Sequence, residues 1–329
     1  MASAAFLKLL VMFIVVALGW LVGRWRLLGV GTGANDASRV VSNAAFYIFI
    51  PALLFRTAAR LDIAHLPWAT LQAFFAPMLL VMLLVYAAQK RRNRRRPRGV
   101  AAPTVRAISA GYGNLVQVGL PFSAALFGEA GLALHITIIS VHGLLFLTVF
   151  TALVEIDLAR ERRRLGQGDA HLGQTLLITA RSTVVHPVVT PVLAGLLYNA
   201  TGAGLPAVLD EVLLMLGQAV VPMCLVLIGL SLAAYGIRGA VRGAISLAAI
   251  KLLLAPAAVL VLGHGLLGLG GLPLAVVVMA AALPVGSNAL IFAQRYETLE
   301  GEATAAIVLS SLAFVATAPL WLAVLQRLN

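Results

Sequence analysis

The residues of this chain that could do chemistry are few, and most lie inside apolar stretches. Lys251, His135, His142 and His186 are the ionisable groups there, and each is neutral or positive. No Asp or Glu falls deep within such a stretch. Glu155, Asp157, Asp210, Glu211, Glu297, Glu300 and Glu302 lie at helix ends or in connectors. A cationic substrate, or a Na⁺ site built on carboxylates, would want a buried counter-charge, so the interior is biased towards an anion. Asn114 and Asn288 suit that bias, because an amide can donate to a carboxylate without adding net charge. Both stand beside helix-breaking residues, where their bland role is to cap freed backbone. Lys251 is functional by default if it lies within the bilayer. Its bland role is to snorkel to the cytoplasmic face. His135 and His142, seven apart on one helix face, fit a proton relay or a metal pair, but separate satisfaction by neighbouring helices weighs more.

Catalytic patterns are absent. There is no H-E-x-x-H, no G-x-S-x-G, no P-loop and no dinucleotide fingerprint, and no base is indicated beside Ser287. The single Cys224 excludes an internal disulfide and a thiolate metal site. No cofactor is expected, and coupling to protons or Na⁺ is left open.

The elements that must position these groups are membrane spans. Of 329 residues 61% are hydrophobic and 11% charged, with mean hydropathy +0.99, a balance that excludes a soluble domain. The formal charge of +12 is a topology signal rather than a nucleic-acid surface, because the basic residues cluster in short connectors. The expectation is an all-α polytopic protein of ten spans: 5–23, 38–58, 68–88, 104–128, 132–154, 175–199, 207–234, 241–264, 273–294 and 303–325. Residues 90–99 and 155–173 read as solvated loops, and the Arg run in the first could touch anionic lipid headgroups. All but five of the 24 Lys and Arg residues flank odd-numbered connectors; the exceptions are Lys8, Arg56, Arg60, Lys251 and Arg327. The positive-inside rule then places both termini outside, as in a multi-pass inner-membrane protein.

Span 4 contains Gly111, Gly113, Gly119 and Pro121, and span 9 contains Pro284, Gly286 and Ser287. A helix broken at Pro121 or Pro284 leaves backbone groups that lipid cannot satisfy. Paired interrupted spans point to a transporter's midplane site. Pro51 and Pro222 match in spans 2 and 7. Gln72 and Lys251 each precede a proline, Pro77 and Pro256, by five residues. These matches predict a 5+5 inverted repeat: residues 1–155, a cytoplasmic loop 156–174, and residues 175–329.

Asn43 through Pro51 to Phe55 resembles the second-span motif of the auxin efflux carrier family, which includes plant PIN carriers and bacterial malate and malonate permeases. Gly113-Asn114 through Gly119-Leu-Pro121 to Gly128 resembles the fourth-span motif. Gly217 through Pro222 to Leu232 is similar to the seventh, and Leu283-Pro284 through Asn288 to Ala293 and Tyr296 to the ninth. The resemblance implies crossing broken helices 4 and 9, a scaffold of spans 1, 2, 6 and 7, and a mobile bundle of spans 3–5 and 8–10, in a homodimer. It implies transport of organic anions such as malate or malonate by an elevator-like movement, with export of auxin-like aromatic weak acids as the alternative. A channel would want a continuous polar stripe, and a receptor an output domain. Asn114, Gln117, Gly119, Pro121, Pro284, Ser287 and Asn288 become the candidate substrate contacts, and Lys251, His142 and His186 the candidates for charge or coupling. His186-Pro187 stands where the family commonly has Asn-Pro.

Overall fold

A computed structural model describes residues 2–28, 40–41, 43–60, 67–95, 98–165, 189–235 and 241–328. His186 and most of the connector before it lie outside the described residues. The described chain is helical: α1 (Ala2–Arg24), α2 (Ile50–Ala59), α3 (Trp68–Arg95), α4 (Ala102–Gly111), α5 (Leu120–Arg164), α6 (Val189–Ala200), α7 (Ala207–Gln218), α8 (Val220–Tyr235), α9 (Val241–Ala249), α10 (Ala255–Leu260), α11 (Gly271–Ala282), α12 (Asn288–Arg295) and α13 (Glu300–Gln326). Among these residues four helical runs are long and apolar enough to cross a membrane: Trp68–Arg95, Leu115–Arg164, Val241–Leu266 and Glu300–Gln326.

Prolines shape the runs through wide turns. Pro51, Pro121 and Pro256 each sit in the first turn of a helix, just after a π-helical turn at Ala45–Phe49, Leu115–Gly119 and Ile250–Leu254. A proline cannot donate to the carbonyl four residues back, and a π turn absorbs the slip in register. For Pro256 that carbonyl is Leu252, and the Trp321 indole N–H donates to it at 2.8 Å. At Gly128 (φ 66°, ψ −160°) the chain leaves helical geometry and folds back. The His135 Nε2–H donates to the Leu115 carbonyl at 2.9 Å, where twenty residues of straight helix would span ~30 Å.

Two corrections follow. The expected loops at 90–99 and 155–173 begin as helix, since α3 runs to Arg95 and α5 to Arg164. The fourth span is broken at Tyr112–Asn114, ahead of the π turn, rather than at Pro121.

Among the described residues the ion pairs, hydrogen bonds and closest backbone approaches between helices fall into two groups, with further packing between them. In the first, α1 and α8 touch backbone to backbone: a Cβ on Gly229 would lie 2.5 Å from the Trp20 nitrogen, and one on Gly19 would collide with the Val226 carbonyl. Small residues permit such close helix contacts in lipid. Also in this group, Arg56 and Arg60 pair with Asp210 at 2.8 and 2.6 Å, joining α2 and the chain just after it to α7, and Asn199 of α6 donates to the Ala59 carbonyl at 2.8 Å. The second group holds α3–α5 and α9–α13 around α11, whose residues from Val276 to Ala282 are all buried. Its locks are Lys90–Asp157 at 2.6 Å, a two-pronged Arg106–Glu302 pair at 2.7 Å for both contacts, and Tyr296 donating to Glu155 at 3.0 Å. Burial and the adjacent Glu155 carboxylate push the Tyr296 phenol up, which keeps it a donor. Asp157 and Glu302, though near helix ends, are buried. Where both partners are described, every ion pair and side-chain hydrogen bond between elements stays within one group.

Candidate substrate site at the helix crossing

The two interrupted spans meet. After α4 ends at Gly111, Tyr112 is extended; after α11 ends at Ala282, Leu283 is extended. The two extended pieces form a short antiparallel bridge between Gly113 and Val285. The Asn114 N–H donates to the Pro284 carbonyl at 2.8 Å, and the Gly286 N–H donates to the Tyr112 carbonyl at 2.9 Å. Each break thus supplies the backbone partners that the other lacks. A Cβ on Gly286 would stand 2.9 Å from the Gly113 carbonyl oxygen, so glycine is required for the approach. The Ser310 hydroxyl adds a third partner, accepting from the Val285 N–H at 3.0 Å.

New half-helices start on either side of the bridge. Asn114 caps one, its Oδ1 accepting from the Gln117 N–H at 3.1 Å while its Nδ2 donates to the Gln117 Oε1 at 3.1 Å. Asn288 opens the other and donates to the Tyr112 hydroxyl at 2.8 Å. The N–H groups of Leu115, Val116, Ser287 and Asn288 find no backbone acceptor among the described residues. Those four residues line one pocket, together with Tyr112, Asn114, Ile139 and His142. It admits the centre of a water molecule over about 30 Å³. The His142 imidazole stacks edge-on against Tyr112, with ring centres 4.3 Å apart. It is 3% exposed, yet its Nε2 has no hydrogen-bond partner among the described residues. Helix N-termini, free N–H groups and amides form a setting for negative charge.

Lys251 lies under the bridge and is 0% exposed, which overturns snorkelling. Its ammonium donates to the Ala281 carbonyl at 2.5 Å, at the negative end of α11. A Cβ on Gly113 would be 3.4 Å from its Nζ. Among the described residues no carboxylate pairs with it. Gln72, its partner in the repeat argument, is exposed.

The structure therefore gathers Asn114, Ser287, Asn288 and His142 at the pocket, with Gln117 bonded to Asn114, Pro284 in the bridge and Lys251 beneath it. Gly119 and Pro121 lie a turn away, outside the pocket lining, and a Cβ on Gly119 would collide with the His135 ring. His135 is used by the Leu115 carbonyl, which the π turn frees, so its role is structural. Tyr112 and Ile139 were not singled out from the sequence. For Tyr112 a signal was present: an aromatic with a polar tip between two glycines of a break. Ile139 carries none, since one apolar residue on an apolar helix looks like the next.

The family model described as "Membrane transport protein" matches residues 4–322. The chain is 26% identical over 316 residues to the "Uncharacterized transporter YfdV" of Escherichia coli (strain K12), covering 95% of each chain. It is also 26% identical over 278 residues to the "Putative malonate transporter" of Rhizobium meliloti (strain 1021), covering 82% of each. The chain belongs to the membrane transport protein family, the auxin efflux carrier family whose span motifs it resembles.

Proposed function

We propose that this membrane transporter carries organic acid anions, mono- or dicarboxylates of the malonate or malate type. One observation carries the reading. One pocket is lined by four residues whose N–H groups find no backbone acceptor among the described residues, by two asparagines, and by a buried imidazole whose Nε2 has no partner among them; no carboxylate is among its lining residues. Lys251 adds positive potential from below. In this reading Asn114 and Asn288 orient the anion, Ser287 and the half-helix N–H groups bind its oxygens, and His142 supplies a further ring nitrogen. The name of the Rhizobium meliloti relative agrees in substrate class.

We further propose ten spans in a 5+5 inverted repeat, an inner-membrane location with both termini outside, and a homodimer. The motion proposed is an elevator: α3–α5 and α9–α13 slide as one body past α1, α2 and α6–α8. The confinement of polar and steric locks within each group supports it, because an apolar interface without directional bonds resists sliding least. The pocket has room for a water molecule or two, so a dicarboxylate enters only when its walls move apart. That makes the described geometry a closed state.

Uptake into proteoliposomes tests the reading, with a panel of mono- and dicarboxylates, an indole acid and an organic cation, each with and without proton and Na⁺ gradients. Uptake of at least one aliphatic carboxylate and no cation is the expected result. Uptake of the cation alone would sink the anion reading, and uptake of the indole acid alone would transfer it to aromatic weak acids.

A further inference from the structure

A second pocket, of about 250 Å³, opens between the end of α3 and the start of α4. Arg92, Arg95, Arg98, Arg106 and Gln89 line it. Arg106 is committed: it grips the buried Glu302 through Nε and Nη2, and its Nη1 donates to Gln89 at 2.8 Å. Glu302 is thereby consumed, with Arg98 also 3.5 Å from its Oε2. Arg92 and Arg95 have no carboxylate partner among the described residues. Asn93 of α3 also holds the chain just before α4. Asn93 accepts from the Arg98 N–H at 2.8 Å and donates to the Gly99 carbonyl at 2.9 Å, while Gly99 takes φ +107°. Arg92 and Arg95, three apart, share a helix face. Arg92 and Arg95 are exposed, yet with Arg98 and Arg106 they line one concavity around a single neutralised acid.

We propose that this pocket binds a phosphate-bearing anion, presented at the depth of the lipid headgroups. The forked donors of arginine match phosphate oxygens two at a time. Depth favours a headgroup as the source. Trp68, exposed at the start of α3, is an interface residue by type. Arg92 lies 24 residues further, ~36 Å along the helix at 1.5 Å per residue, just past a hydrocarbon core of ~30 Å. A bound phosphate would strap the end of α3 to the start of α4, and through Arg106 and Glu302 to α13.

The test uses the purified full-length protein in detergent with phosphatidylcholine, to which phosphatidylglycerol or inorganic phosphate is added. Bound lipid is read by native mass spectrometry and stabilisation by thermal melting. Wild type should retain phosphatidylglycerol at least about tenfold more tightly than phosphatidylcholine. The Arg92→Gln, Arg95→Gln pair should lose most of that preference. The Arg160→Gln, Arg164→Gln pair, which removes equal charge elsewhere, should keep it. Arg92→Lys with Arg95→Lys, which guards against misfolding by keeping both charges, should still weaken retention several-fold, since the forks are gone. Arginine-dependent stabilisation by inorganic phosphate alone would make a free phosphate sufficient, and its absence would require the headgroup. No lipid preference, or equal loss in the two glutamine pairs, overturns the site. Carboxylate-dependent melting of the same variants reports on the crossing separately, so failure here leaves the transport reading untouched.

Discussion

Asn114 has two uses for one side chain: its oxygen caps a half-helix, and its nitrogen, with a second proton to give, belongs to the lining of the pocket proposed to take an anion. Asn114→Ala removes both. The lost cap costs about 0.5–2 kcal/mol of stability, and the lost bond to a charged group roughly 1.5–3 kcal/mol, or one to two orders of magnitude in affinity. Asn114→Asp separates the two roles, since aspartate caps as well as asparagine but repels an anion. It should melt closer to wild type than the alanine variant and bind a carboxylate more weakly than either, as read by substrate-dependent thermal stabilisation. Wild-type anion binding in the Asp variant would refute the assignment. Lys251→Met gives the converse pattern. A buried ammonium without a carboxylate partner costs stability, so the unliganded protein should melt no lower. Anion affinity should fall about tenfold or more, the size expected when one unit charge near a bound anion is removed at an effective dielectric of ~20. Retained affinity would reduce Lys251 to a plug for the end of α11. The asparagines were legible because an amide beside glycine or proline in an apolar run has few bland uses. The setting of Lys251 was not, because burial and snorkelling depend on whether a partner waits at the end of its stem, and the Ala281 carbonyl is 30 residues away.

At the scale of elements, the prolines announced that helices would be interrupted but not where. Pro284 lies in its break, whereas Pro121 falls in the first turn of the helix beyond it, because a π turn absorbs the missing bond upstream. Pro77 is accommodated inside α3 with no break. One residue type thus yields three outcomes, decided by tertiary partners that a linear reading does not contain. Trp321 is such a partner. Replacing it with Phe keeps the ring in its buried slot but strips the Leu252 carbonyl of its donor. A buried carbonyl without a partner costs about 1–3 kcal/mol, so Trp321→Phe should lower the melting temperature, while Trp68→Phe, at an exposed site, should leave it in place. Equal melting of the two variants would mean that the freed carbonyl finds another donor.

For the whole molecule, the all-helical membrane architecture was legible from composition, and the meeting of the two breaks from the family resemblance, with which the unmet backbone groups at each break agree. The two-group packing was not legible from the residues, because Gly19 and Gly229 acquire meaning only as neighbours. The elevator proposal makes a mechanical prediction. A bifunctional thiol reagent joining Arg56→Cys to Asp210→Cys, both within the first group, should leave uptake intact in a background lacking Cys224. A tether from α8 to the Leu115–Gly119 turn, joining the two groups, should abolish it reversibly. Undiminished uptake with the second tether would exclude relative sliding of the groups. The bridge at Gly113 and Val285 has one more consequence. Its pairing bonds run between main-chain atoms, so the frame that crosses the two spans is largely indifferent to which side chains hang from it. Residues 114, 139, 142, 287 and 288 can then be exchanged on that frame, with position 114 confined to residues that also cap a helix. On the proposed reading, a laboratory seeking a carrier for a different substrate should vary those five positions and leave Gly113 and Gly286 alone.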